Sequence, residues 1–121
     1  VVKALFDTNI LIDFLNGLPQ ARDELVRYDD RCISIVTWME VMVGAEAAVS
    51  AATEYYLTSF SILPVDTNIA RRAVQLRTDH RIKLPHAIIW ATAQTGGMLL
   101  VTRNTKDFPS DDPAVRMPYL I

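Results

Sequence analysis

Short apolar runs alternate with stretches of helical spacing along the chain, and no internal repeat or low-complexity segment interrupts them. That alternation predicts an α/β fold. Residues 3–6 read as a first buried strand. A helix follows over 8–16, with Ile10, Leu11, Phe14 and Leu15 along one stripe and Gly17 as its stop. Pro19 and Gln20 start a second helix running to about Tyr28. Residues 32–36 are β-branched enough for a second strand, after which Thr37 caps a helix carrying Trp38, Met39, Glu40, Val41 and Met42. A helix over 50–59, capped by Ser50, leads to a short strand over 61–65 despite Pro64. Asp66 or Thr67 caps the next helix, 68–78, whose exposed face carries Arg71, Arg72 and Arg77. Pro85 suits the first turn of a helix that reaches Thr95 and ends at Gly96 and Gly97. Residues 98–102 form the most strand-like run of the second half, and residues 117–120 offer an edge strand beyond a turn-rich segment.

Composition narrows this picture. With 121 residues, half of them apolar, the chain suits one well-buried domain over 1–121 and is short for two. A formal charge of -2 gives no general attraction to nucleic acid, so phosphate binding needs a local basic patch or bound cations. The single Cys32 excludes an internal disulfide, fits a reducing cytoplasm, and reads as a small core residue. No apolar run is long enough to span a membrane and no basic-then-apolar leader is present, so a cytoplasmic protein without a membrane partner is expected. The sequence begins with Val1 rather than Met, which leaves room for residues upstream.

Candidate chemistry starts at Asp7, where the first strand gives way to the first helix. A carboxylate there serves as a plain N-cap or holds a hard cation above the strand ends. Parallel strands bring the loops after Phe6 and Val101 to one edge of the sheet, so Asp7, Thr8 and Asn9 converge with Thr102, Arg103, Asn104 and Asp107. Glu40 shares a helix face with Val36, Val43 and Ala47, which points its carboxylate at apolar surroundings. There it requires a hydrogen-bond donor or a cation, the other possibilities being an ion pair with an arginine or a solvent-facing glutamate. Arg71, Arg72, Arg77, Arg81 and Lys83 suit a solvated face as well as guidance of an anionic partner, whereas Arg103 and Lys106 adjoin these acids and are better placed for phosphate. Trp38 and Trp90 lie in apolar helices and suit core packing over base stacking. His80, between Asp79 and Arg81, suits a solvated surface position.

Several motifs taken in order carry a resemblance. They are Asp7-Thr8-Asn9 after a strand, Glu40 within Thr37-Trp38-Met39-Glu40-Val41 with Gly44 behind it, and Leu84-Pro85 opening the helix through Ala93. Val101-Thr102-Arg103-Asn104 followed by Asp107-Phe108 completes the set. Together they resemble the PIN domain, and within it the VapC-like ribonuclease toxins of type II toxin-antitoxin systems, over essentially the whole chain. The resemblance implies a three-layer α/β/α fold with a central parallel sheet. It also implies an acidic cluster binding Mg²⁺ or Mn²⁺ for hydrolysis of RNA, homodimers, and inhibition by a small VapB-like antitoxin; Tyr55 and Tyr56 are candidate contacts for a dimer or for that antitoxin.

Carried over residue by residue, the resemblance makes Asp7 a metal ligand, Glu40 a ligand or a positioner of metal-bound water, Thr102 a hydroxyl bonded to the site and Asn9 a supporting contact. Asn104 is an amide where many relatives have an acid, and Asp107 three residues on offers the missing charge. His86 stands where the family usually has a metal-binding aspartate. A helix N-terminus disfavours positive charge, which leaves a ring nitrogen for a metal and shifts preference towards Mn²⁺ or Zn²⁺. Three outcomes stay open at this stage: an altered metal preference, a weakened site, or an inactive protein that acts through antitoxin binding or a DNA-bound repressor complex.

Overall fold

The computed structural model describes residues 2–121. Five strands form one parallel sheet in the order β3-β2-β1-β4-β5: β1 Lys3–Phe6, β2 Asp30–Ser34, β3 Ser61–Leu63, β4 Leu99–Val101 and β5 Val115–Arg116. The first strand is therefore central, with Leu5 opposite Cys32 on one side and Leu100 on the other. Alternation along the strands divides the core. Ala4, Phe6, Ile33 and Val101 face the layer built by α1 Thr8–Leu15, α2 Pro19–Leu25, α3 Ile35–Gly44 and α4 Ser50–Leu57, meeting Ile10, Leu11, Leu25, Val41 and Leu57. Leu5, Cys32 and Leu100 face α5 Thr67–His80 and α6 Leu84–Thr95, meeting Leu76, Ile89 and Trp90. The result is the expected α/β/α sandwich. Each fully buried Leu, Ile or Phe contributes about 1.5–3 kcal/mol by leaving water.

Several elements end a few residues short of the sequence reading, α2 at Leu25 and β3 at Leu63 among them, and three departures have a visible cause. The second strand ends at Ser34 and the helix begins at Ile35, because the Ser34 hydroxyl accepts from Val36 N at 3.1 Å and supplies the cap expected of Thr37. The β-branched pair Ile35-Val36 is thus helical. Ser50 does not cap its helix, since a 3-10 turn, Ala47–Val49, runs directly into α4. The edge strand is Val115–Arg116 rather than 117–120. Pro118 has no N–H for a ladder, and this tail is fastened by side chains instead. Trp90 is core, as expected, and Trp38 packs half-buried against the other cluster. Tyr56 stacks on Phe14 at 4.9 Å, which leaves Tyr55 as the exposed member of that pair. His80 is exposed, with its ring 4.8 Å from that of Trp90. Among the described residues no helix is long and apolar enough to cross a membrane.

Candidate active site

The strand β1 stops at Asp7, which holds extended backbone angles while its Oδ1 accepts from Thr8 N at 2.7 Å, so the residue does cap α1. It does more than cap. Only 2% exposed, its second oxygen Oδ2 accepts from the Thr102 hydroxyl at 2.8 Å and from Asn9 Nδ2 at 3.1 Å. All three donors are neutral, and among the described residues no lysine or arginine pairs with it. Burial pushes the Asp7 carboxyl above the ordinary range and Glu40 adds to that, against the hydrogen bonds from Thr102 and Thr8 and the pull of His86. Such a carboxylate is poised to accept a cation.

Parallel pairing of β1 with β4 puts Thr102 beside Asp7, with Asp7 N donating to Val101 O at 2.9 Å. The fully buried Thr102 hydroxyl donates to Asp7 and accepts from Asn9 Nδ2 at 3.2 Å and from Asn104 N at 3.0 Å. Asn104 organises the loop beyond. Its Oδ1 accepts from Lys106 N and Asp107 N, each at 3.1 Å, and its Nδ2 donates to Asp107 Oδ2 at 3.0 Å.

Glu40 is exposed, so of the alternatives left open by its helix face the solvent-facing one holds, and its carboxylate is not buried among apolar groups. Its Oε1 accepts from the Thr8 hydroxyl at 2.6 Å, and that hydroxyl lies 3.1 Å from the buried Thr37 Oγ1. Thr8 therefore links the two acids, touching Asp7 with its backbone and Glu40 with its side chain. The sequence reading did not give it this part, and nothing short of the fold could, since Thr8 and Glu40 are 32 residues apart.

On the other flank His86 Nδ1 lies 2.8 Å from Asp107 Oδ2, at ion-pair distance but without the alignment of a ring N–H hydrogen bond. The Asn104 amide holds the Asp107 carboxyl below the ordinary range, aided by His86 and Lys106 and opposed by partial burial. Of the four predicted ligands, Asp7 and Glu40 are joined through Thr8, and His86 contacts Asp107 directly. Among the described residues no three His, Cys, Asp or Glu side chains stand close enough to hold an ion by themselves. The donors suit a hard cation carried by two carboxylates, with water and phosphate oxygens as the remaining ligands, the arrangement Mg²⁺ usually takes.

The two basic candidates differ. Arg103 turns away from the loop and grips Asp13, Nε to Oδ2 at 2.5 Å and Nη2 to Oδ1 at 3.1 Å, and Tyr119 donates to the same carboxylate at 2.8 Å. Lys106 is exposed and has no acidic partner among the described residues. A second clamp joins Arg116 to Glu24 at 2.6 and 2.9 Å, with Tyr28 donating to Glu24 at 2.8 Å.

Comparison with known proteins adds three likenesses. The sequence profile described as PIN domain matches residues 4–110. A protein called ribonuclease VapC10 from Mycobacterium tuberculosis is 36% identical over 113 residues, covering 87% of this chain and 85% of that protein. A solved structure titled as a toxin-antitoxin complex from Klebsiella pneumoniae contains a chain 47% identical, with a TM-score of 0.92, covering 98% of this chain and 100% of that one.

Proposed function

The chain belongs to the PIN domain family, and from that premise we propose that it is a metal-dependent endoribonuclease toxin hydrolysing RNA phosphodiester bonds, held in check by a small VapB-like antitoxin. The observation that carries this reading is Asp7, a buried carboxylate with three neutral donors and no cationic partner among the described residues, linked to Glu40 by Thr8, which bonds to both. The relatives named as ribonucleases, including a tRNA(fMet)-specific endonuclease VapC of Shigella flexneri at 29% identity, support RNA as the substrate. The Klebsiella likeness supports the antitoxin.

In this reading Asp7 and Glu40 hold Mg²⁺ or Mn²⁺. When bound, that ion supplies Lewis acidity that activates water and offsets charge building on the phosphate. The chain's own work is positional. Thr102 and Asn9 fix the Asp7 oxygens, and Thr8 fixes one oxygen of Glu40 and leaves the other for a ligand. The anchored 102–107 loop forms the facing wall, where Lys106 meets phosphate. A homodimer is the expected assembly for the family.

A second reading has one observation behind it. Asp107 is already engaged by Asn104 and His86, so the negative charge left for an ion is reduced to two carboxylates. That favours a weakened enzyme, and in the limit a protein acting only through antitoxin or DNA-bound complexes. Cleavage of bulk transfer RNA with Mg²⁺ and with Mn²⁺ separates the two. Asp7→Ala is expected to lower the rate by at least ~100-fold, and His86→Asp to raise it above the parent. Cleavage by Asp7→Ala at the parent rate removes this site from consideration. No cleavage by any of the three hands the case to the binding reading.

A further inference from the structure

Beside Asp107 a cavity of about 550 Å³ opens between the end of α5 and the loop over 105–111, lined by His80, Arg81, Lys106, Asp107, Phe108 and Asp111 among others. Nothing in the reading above uses Arg81. We propose that this cavity seats a phosphodiester of the RNA strand flanking the cleaved bond, gripped by Arg81 and Lys106, a proposal that rests on the endoribonuclease reading.

Arg81 closes α5 with φ 56 and ψ 34, its N–H donating to Arg77 O at 2.8 Å, and it is the one non-glycine among the described residues with positive φ. That left-handed conformation crowds any Cβ and suits glycine, so an arginine is at odds with its own backbone here. Its guanidinium is also unused. Arg103 and Arg116 have their forks filled by Asp13 and Glu24, whereas neither Arg81 nor Lys106 meets an acidic partner among the described residues. A planar fork and an ammonium at the rim of one hollow match the tetrahedral oxygens of a phosphodiester. The volume lies within the range of small-ligand pockets and accepts a sugar-phosphate unit. The position adjoins the candidate active site as well, because Asp107 lines this cavity and contacts His86. Asp111 is the opposing charge: a carboxylate in the same hollow without a cationic partner among the described residues, it weakens the grip on an anion.

The test measures binding apart from cleavage, by fluorescence anisotropy of end-labelled bulk transfer RNA with chelator present, over a series of salt concentrations. Arg81→Gly is expected to raise Kd about three- to tenfold and to reduce the slope of log affinity against log salt by about 0.7 to 0.9, one phosphate contact. Its thermal midpoint is expected to be no lower than the parent's, because glycine relieves the backbone. Arg81→Lys should restore part of the affinity. Asp111→Asn should tighten binding. Arg22→Ala, which removes an equal charge from the exposed face of α2, should change Kd by less than about twofold. If the parent binds and cleaves RNA while Arg81→Gly binds it equally tightly with an unchanged salt slope, the cavity proposal fails and the endoribonuclease reading stands. If the parent neither binds nor cleaves RNA, both fall.

Discussion

Thr102 has a single hydroxyl proton, and it goes to Asp7; the oxygen that carries it receives Asn9 and the backbone of Asn104. Thr102→Val keeps the shape and strands those groups in a buried place, so a loss of about 1–3 kcal/mol is expected in urea unfolding. RNA cleavage should fall with it. Thr102→Ser should retain both, which distinguishes a lost hydroxyl from a lost methyl. At this scale the sequence was legible where local grammar and family motif coincide. Asp7 and Thr102 each end a strand, and parallel pairing alone brings them together. Two contacts had no local signal. Arg103 reads as a phosphate ligand beside the site until the fold delivers Asp13, 90 residues away in sequence, into its fork. Asn104 reads as a deficient acid, whereas its amide closes the loop through two backbone N–H groups and Asp107.

Helices and strands were placed with few errors, because strands buried on both faces leave continuous apolar runs and helices leave stripes. The misplaced junction between β2 and α3 has an instructive cause. Ile33-Ser34-Ile35-Val36 has the composition of a strand throughout, and one hydroxyl decides where it turns into helix. Ser34→Ala is therefore expected to cost about 1 kcal/mol, read as a lowered midpoint in thermal unfolding followed by circular dichroism. Because α3 carries Glu40 and Thr37, the same change should also lower cleavage, through a frayed first turn and not through any contact with RNA.

Across the whole molecule, the buried Glu24, 3% exposed, ties α2 to the last strand through Arg116. Burial raises its carboxyl, but the hydrogen bonds from Arg116 and Tyr28 and the nearby positive charges outweigh that and hold it below the usual range. A lowered carboxyl stabilises the fold fully above its unfolded value of 4.5, and that share is lost as pH falls through the lower folded value. Glu24→Gln should flatten the fall of unfolding temperature with acid while lowering stability at neutral pH by about 2–3 kcal/mol, less than a fully enclosed pair because Arg116 is partly solvated. Thermal scans from about pH 3 to pH 7, spanning the carboxylate range, check both halves of that expectation.

The order of strands has a consequence in time. The middle strand of the sheet is made before the other four, yet its neighbour on one side arrives more than ninety residues later, bringing the hydroxyl that bonds to Asp7. A product of interrupted translation that stops short of Thr102 therefore leaves Asp7 without the shorter of the two hydrogen bonds that fix its second oxygen.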